Sequence, residues 1–328
     1  MPINRLDMPR TNTPGTRLPA PIRYLLVLAV GLGLAKAMTV ALPLGYFASM
    51  KLAGKIPYCP WDRIRTLEKD ADVFKLQLDH YKAVAKKVKS EPELGIDLIE
   101  TPERSFWVKQ AGKKFDGLAL IGYLLAEHAW IRKTNEKSYI NKGDVVIDCG
   151  GHVGVFTHNA LLQGAAKVIA IEPDPGNITC FRRNFEKELA DGRVVLITKG
   201  VWKEETTLEL FELEDNSGVN SVIWKKGKKV EIPVTTLDKI VAEQGLTRVD
   251  VIKMDIEGAE REALRGGMNT IKKMRPRIML DAYHLPDDST VLPEIIRSAH
   301  ADYKLSCGPC QLSDHGQTGL TPHSMWFE

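Results

Sequence analysis

One stretch restricts the fold more than any other. Residues 145–154 read VVIDCGGHVG, an apolar run ending on Asp148, then the paired glycines 150 and 151 and a third at 154. A buried strand that breaks at glycines and re-forms as a helix, here through about residue 163, is the opening unit of an α/β sheet. The alternation continues downstream. Strands are expected at 167–172, 194–197, 249–256 and 277–283, with helices at 177–189, 237–244 and 291–300 interspersed. Residues 208–213 and 229–234 read as a β-hairpin excursion around a turn at 215–220, and 303–307 and 322–328 as closing strands after the last helix. The expected architecture is α/β, a doubly wound, mostly parallel seven-stranded sheet whose ligands bind at the carboxyl ends of its strands.

The residues at those ends carry the chemistry. Asp148 ends the first strand, Glu172 the second, Asp255 the fourth and Asp281 the fifth. Gly150, Gly151 and Gly154 let a ligand approach the backbone closely, and the helix after them presents free N–H groups to an anion. Glu172 lies 24 residues beyond Asp148, where an acid accepts hydrogen bonds from ribose hydroxyls and disfavours a 2′-phosphate. Both features suit an adenosine-containing cofactor. A dinucleotide loop reads G-x-G-x-x-G, but this one reads D-x-G-G-x-x-G. An acid ahead of the glycines repels a pyrophosphate and can orient a cationic amine. The amine and carboxylate of a methionine moiety match Asp148 and the loop N–H groups, which points to S-adenosylmethionine. The same glycine pattern disfavours a nicotinamide-dependent oxidoreductase.

At this point the sequence resembles a known family. VVIDCGGHVGVFT, IEPDPGN, NSGVNSV, TTLDKI and VDVIKMDIEGAEREALRGG are similar, in order from about residue 142 to 267 and more loosely to the C-terminus, to the FkbM-type methyltransferases. The resemblance implies a class I methyltransferase fold and S-adenosylmethionine-dependent O-methylation, often of sugar or natural-product hydroxyls. It implies that Asp148, Gly150 and Gly154 line the methionine end, with Gly151 and His152 in the same loop, and that Glu172 lines the ribose. It also places Asp255 and Glu257 beside the methyl group. Cys149 and His152 depart from the small, Asn or Val residues frequent in such loops. The first 100 residues are not covered by the resemblance.

A hydroxyl acceptor must lose a proton, either to a base within hydrogen-bond reach or through a metal that lowers its pKa. Asp255 in IKMDIEGAE is the first candidate for a base or orienting acid, or else the cap of a helix starting near Gly258; Glu257 can do either job. Lys253, two residues before Asp255, reads as a charge partner. His284, with Asp281, Asp287 and Asp288 nearby, is the second base candidate or a solvated loop histidine. Asp255 with Asp281 can hold Mg²⁺, but strand ends in cofactor sites collect carboxylates anyway, and no metal is assigned. Residues 217–221 read as a polar rim near the acceptor or simply a turn. Cys307-Gly308-Pro309-Cys310 looks like a redox C-x-x-C but joins two strands instead of opening a helix, so it reads as a turn with two buried thiols. A zinc site completed by His315 and His323 fits no common spacing.

Ahead of this domain, at 106–328, the chain divides into a basic tail (1–23), an apolar segment (24–50) and a linker (51–105). The formal charge is +3, and Arg5, Arg10, Arg17 and Arg23 against Asp7 account for all of it. The neutral remainder excludes the basic character of a nucleic-acid-binding domain, and hydrophobic content of 44% excludes wholesale disorder. Five scattered cysteines suit no disulfide scaffold, so a reducing compartment is the default. Residues 24–49 hold one charge, Lys36, and are long enough for a membrane helix. A cleaved signal peptide and a monotopic helix broken at Pro43 and Gly45 are the alternatives. The expectation is a membrane-anchored protein with a cytoplasmic catalytic domain acting on a small-molecule, glycan or lipid acceptor. In the linker, Ile64, Leu67, Ala71, Phe74, Leu78, Tyr81, Ala85 and Val88 make an a/d stripe on a long amphipathic helix over 62–90. The stripe suits a homodimer or a partner, or packing on the chain's own domain. A catalytically degenerate methyltransferase-fold subunit tethered to a membrane complex is the competing function.

Overall fold

The apolar runs around the glycine loop are buried on both faces, as central strands of a parallel sheet must be. In a computed structural model of the protein, which describes residues 45–54, 56, 59–110, 116–134, 139–213, 217–312 and 320–328, these runs form the middle of a seven-stranded sheet. Residues 50–328 form one compact unit.

That unit begins with helix α1 (Trp61–Val84), an antiparallel sheet of β1 (Lys86–Glu91), β2 (Ile96–Glu100) and β3 (Ser105–Lys109), and helix α2 (Gly117–Thr134). Next come β4 (Val145–Cys149), α3 (Val155–Leu162), β5 (Lys167–Ile171), α4 (Pro175–Asn184), α5 (Glu186–Ala190), β6 (Val194–Ile197) and β7 (Gly200–Val201). The hairpin β8 (Thr206–Glu212) and β9 (Lys228–Thr235) leads to α6 (Leu237–Glu243), β10 (Val251–Met254), α7 (Glu260–Gly266), α8 (Met268–Met274) and β11 (Arg277–Asp281). The chain closes with α9 (Asp288–Ala299), β12 (Leu305–Cys307), the small pair β13 (Cys310–Leu312) and β14 (Leu320–Pro322), and β15 (Ser324–Phe327).

The large sheet has the order β12-β15-β11-β10-β4-β5-β6. The five strands from β6 to β11 are parallel, and β15 runs antiparallel to both β11 and β12. This is the mixed sheet of a class I methyltransferase-like α/β fold, as expected from the sequence. The order reverses at β4, whose neighbours are β5 and β10, and a crevice opens at that switch point. Its core joins Ile147, Ile169, Ile252, Leu280 and Phe327, all essentially inaccessible to solvent.

Three expectations for the N-terminal part change. No helix among the described residues is long and apolar enough to cross a membrane, so membrane anchoring with a cytoplasmic domain is not carried forward; residues 24–44 of the apolar segment lie outside the described residues. The linker helix ends at Val84, because residues 86–91 pair with β2, and Val88 is exposed on that strand. Its stripe is spent within the chain: Phe74 meets Trp130 and Tyr123 of α2 at ring-centroid distances of 5.3 and 5.6 Å, and Leu78 and Tyr81 are buried with Leu120, Ile121 and Leu125. Finally, Cys310 is not a free thiol. It is bonded to Cys59, with 6.1 Å between Cα atoms, which ties the segment before α1 to the start of β13; Cys307 is not in a disulfide. The short C-x-x-C spacing concealed this, since the partner is 251 residues away. A bridge over so long a loop removes much unfolded-chain entropy, so reduction should cost about 2–5 kcal/mol and lower Tm by about 5–10 °C. Calorimetry with and without a phosphine reductant checks this, with Cys310→Ser as the matched control; an unchanged Tm in both contradicts it.

Candidate active site

The glycine loop is shaped by what it must pass. Gly150 has φ +82°, and a Cβ there would lie 2.1 Å from the Asp255 carbonyl oxygen; Gly154 has φ +94°, with its missing Cβ 2.0 Å from the Phe185 ring. Neither position admits another residue without moving its neighbour. His152 also holds a left-handed φ of +47°. The loop is fastened by its own N–H groups: Gly150 and Gly151 both donate to Ile171 O (3.0 and 2.9 Å), and His152 donates to Glu172 Oε2 at 2.8 Å. Those donors were expected to meet a ligand carboxylate, and the structure spends them on the adjoining strand end.

Asp148 is likewise committed internally. Asp148 and Lys253 are register partners on adjacent parallel strands. Lys253 Nζ lies 3.3 Å from Asp148 Oδ1, and Thr157 donates to Oδ2 at 2.7 Å. Asp148 is wholly buried and does not line the crevice. Burial raises its pKa, against the pull of Lys253. Lys253 also donates to Gly150 O at 3.2 Å, and its charge is held firmly, since nearby Asp148 and Asp255 outweigh the cost of burial. Asp255, by contrast, lines the crevice, and its side chain is one-third exposed.

On the other side of the switch point stands Glu172, lining the crevice and only 5% exposed. It accepts from His152 N, from Asp174 N at 2.9 Å and from Asn177 Nδ2 at 3.3 Å. Burial, with Asp174 beside it, pushes its pKa up to about 7. Asp174 caps α4 through Asn177 N (2.7 Å), pairs with Lys109 Nζ (3.0 Å) and accepts from Asn220 Nδ2 (2.9 Å). Ser217 Oγ meets His152 Nε2 at 3.0 Å, and burial keeps that imidazole neutral, near a pKa of about 4. Residues 217–221 thus reach the glycine loop and Asp174, not only an acceptor rim; Ser221 donates to Glu257 O at 2.6 Å.

The third corner gathers Asp255, Glu257 and His284, the three residues expected to do the proton chemistry. His284 Nε2 lies 3.7 Å from both Asp255 Oδ1 and Glu257 Oε2. Asp255 does not cap the next helix. That helix has no side-chain cap; Glu260, its first residue, instead fastens the turn before it, accepting from Ile256 N (2.9 Å) and Gly258 N (3.1 Å), and its Oε1 also meets His284 Nδ1 at 3.0 Å. Glu257 itself holds φ +53°. Burial opposes a charge on His284, but Glu260, Glu257 and Asp255 raise its pKa well above the ordinary value, so it is no free base at neutral pH. Burial pushes Glu257 up to about 8, whereas Asp255, despite burial, is held low by Lys253 and His284. Asp255 is the ionised carboxylate of the group. Asp281 lies apart, with Oδ1 3.9 Å from His323 Nδ1, and His323 Nε2 meets Glu127 at 3.0 Å.

Glu260, His128 and Lys109 were missed by sequence reasoning. Glu260 stood inside a motif already quoted, and an acid two residues after Gly258 was the available signal. His128 lines the crevice from α2, and Lys109 reaches Asp174 from β3; only three-dimensional packing brings either to the site. The crevice fits S-adenosylmethionine in its parts. Glu172 offers a carboxylate to ribose hydroxyls, and Pro173, Val201, Leu208, Leu210 and Val234 give apolar surface for a base.

Residues 148–305 match the model of the methyltransferase FkbM domain. Among characterised proteins, the chain is 28% identical to Methyltransferase 1 of Beauveria bassiana over 37% of its length and 57% of the relative's. It is 24% identical to Methyltransferase sdnD of Sordaria araneosa (52% and 75% covered) and 27% identical to 31-O-demethyl-FK506 methyltransferase FkbM of Streptomyces tacrolimicus (39% and 60%). The chain thus spans little more than half the length of two of these relatives. A solved methyltransferase FkbM from Methylobacillus flagellatus aligns over 81% of this chain and 62% of its own at 17% identity and a TM-score of 0.42. The chain carries a methyltransferase FkbM domain.

Proposed function

We propose that the chain transfers a methyl group from S-adenosylmethionine to an oxygen of a small-molecule or glycan acceptor. The observation that carries this reading is the placement of Asp255, an ionised carboxylate that lines the crevice across the sheet's switch point from Glu172. S-adenosylmethionine, when bound, supplies a methyl carbon made electrophilic by a sulfonium. The chain's own residues do the rest. Glu172 and the glycine loop hold the nucleoside, and the left-handed turns at Gly150 and Gly154 keep the strand end clear of side chains. Asp255 accepts the hydroxyl proton as the oxygen attacks. In-line positioning supplies much of the acceleration, so a rigid loop is an asset. One relative carries oxygen chemistry in its name, the 31-O-demethyl-FK506 methyltransferase, and another is named a hexuronic acid methyltransferase, from Haloferax volcanii. Those substrates belong to those proteins.

The test is transfer of a methyl label from the donor to a panel of hydroxylated and uronic-acid acceptors. Alkali-stable label is expected, as an ether gives, whereas methanol released by mild alkali would make the product an ester. Asp255→Asn should lower kcat by about 10²–10⁴-fold, the range of general base catalysis. A well-folded protein that binds the donor but labels nothing in the panel favours the competing reading, a methyltransferase fold without turnover.

A further inference from the structure

Burial normally leaves no polar atom alone. His284 Nε2 breaks that rule. The ring is 1% exposed and this nitrogen has no hydrogen-bond partner, yet it points between two carboxylate oxygens, each 3.7 Å away. We propose that Asp255, Glu257 and His284 bind one divalent cation of the first transition series at the acceptor end of the crevice, the ion replacing the proton on His284 Nε2, which leaves to solvent. One ligand atom from each of the three lies within 4.8 Å of the others. That spacing brings all three within the roughly 2.0–2.4 Å ligand range of a central ion after small shifts.

The surroundings are those of a built site. A metal-bound imidazole is oriented by a partner on its other nitrogen, commonly a carboxylate. Here that partner is Glu260, fully buried, at 3.0 Å from Nδ1. The same carboxylate holds Ile256 N and Gly258 N, so it fixes the turn that carries Asp255 and Glu257. Glu257 sits in the left-handed region, φ +53°, a conformation uncommon for a residue with a Cβ. Two oxygens and one imidazole nitrogen suit Mn²⁺ better than Mg²⁺, because the nitrogen is a softer donor. Lys253 does not compete directly: its Nζ lies 4.0 Å from Asp255 Oδ2, the oxygen other than the one facing His284. Asp255 can therefore ligate through Oδ1 and keep Oδ2 for the acceptor proton, while the ion lowers the acceptor's pKa.

The ion's role rests on the methyltransferase reading, but its binding does not, so the test reads binding alone. The untagged full chain, stripped with chelator, is titrated with Mn²⁺ by calorimetry and by electron paramagnetic resonance. One ion per chain is expected. His284→Ala and Glu257→Gln should each weaken binding by about 100-fold, and Glu260→Gln by about 10–100-fold through the lost orientation of the ring. His300→Ala, on a remote exposed histidine, should leave binding unchanged. Circular dichroism confirms that each variant is folded, and binding of S-adenosylhomocysteine to the same samples tests the cofactor site separately. Saturation absent below millimolar Mn²⁺ in folded protein overturns the proposal, as does binding that persists in His284→Ala.

Discussion

Lys253→Met should destabilise the chain by roughly 3–5 kcal/mol at pH 8.5, the penalty for leaving a buried charge without its partner. The charge left behind is Asp148, inaccessible to solvent and paired with Lys253 across two neighbouring strands. Thr157 is then its remaining side-chain hydrogen-bond donor among the described residues. Losing Lys253 also frees Gly150 O and so loosens the loop at its base. The loss should shrink on acidification. Burial already raises the Asp148 pKa, and without the lysine only the Thr157 hydrogen bond opposes that rise. A carboxyl whose folded pKa is raised contributes stability present below its unfolded value and lost as pH climbs through the folded one. The variant should therefore approach wild type on acidification and fall away as pH rises. In the wild type, the pair's lysine is raised, so its contribution is present throughout that window. Urea unfolding at pH 5.5 and 8.5 measures both limits. The double variant Asp148→Asn, Lys253→Met should recover most of the loss at pH 8.5, because the orphaned charge is gone. Equal destabilisation at both pH values would show that the lysine acts by packing instead of by charge.

Glu172→Ala should weaken binding of S-adenosylhomocysteine by about 10²–10³-fold. A hydrogen bond to a charged group contributes about 1.5–3 kcal/mol, and two ribose hydroxyls are at stake. A second loss compounds the first, since the same carboxylate clasps His152 N and Asp174 N and so holds both walls of the crevice. Calorimetric titration reads the affinity directly. Glu172→Gln should fall between, because one amide nitrogen would face N–H donors it cannot accept from. A weakening of less than threefold in the folded alanine variant contradicts the assignment of Glu172 to the nucleoside.

The central sheet was legible because parallel strands, buried on both faces, write themselves as short apolar runs, and because acids and glycines punctuate their ends. Glu172 and Asp255 followed from that punctuation. Asp148 was misplaced for a physical reason: position at a strand end says nothing of which way a side chain points, and register pairing with Lys253 turned it inward. The loop N–H groups were likewise assigned to a ligand when Ile171 O was nearer. His284 was legible as a base candidate, but its contact with Glu260, 24 residues earlier, was not. The helix stripe from Ile64 to Tyr81 was seen, and its continuation to Val88 was not real, because periodicity cannot tell where a chain changes from helix to strand. The pairing of Cys59 with Cys310 has no local signal at all.

Direct titration of the wild-type chain with S-adenosylmethionine, at pH 7.5 and without added metal, bears most directly on the whole account. One molecule bound per chain, displaced by S-adenosylhomocysteine, is the predicted result. A folded chain that binds neither molecule at millimolar concentration would contradict it.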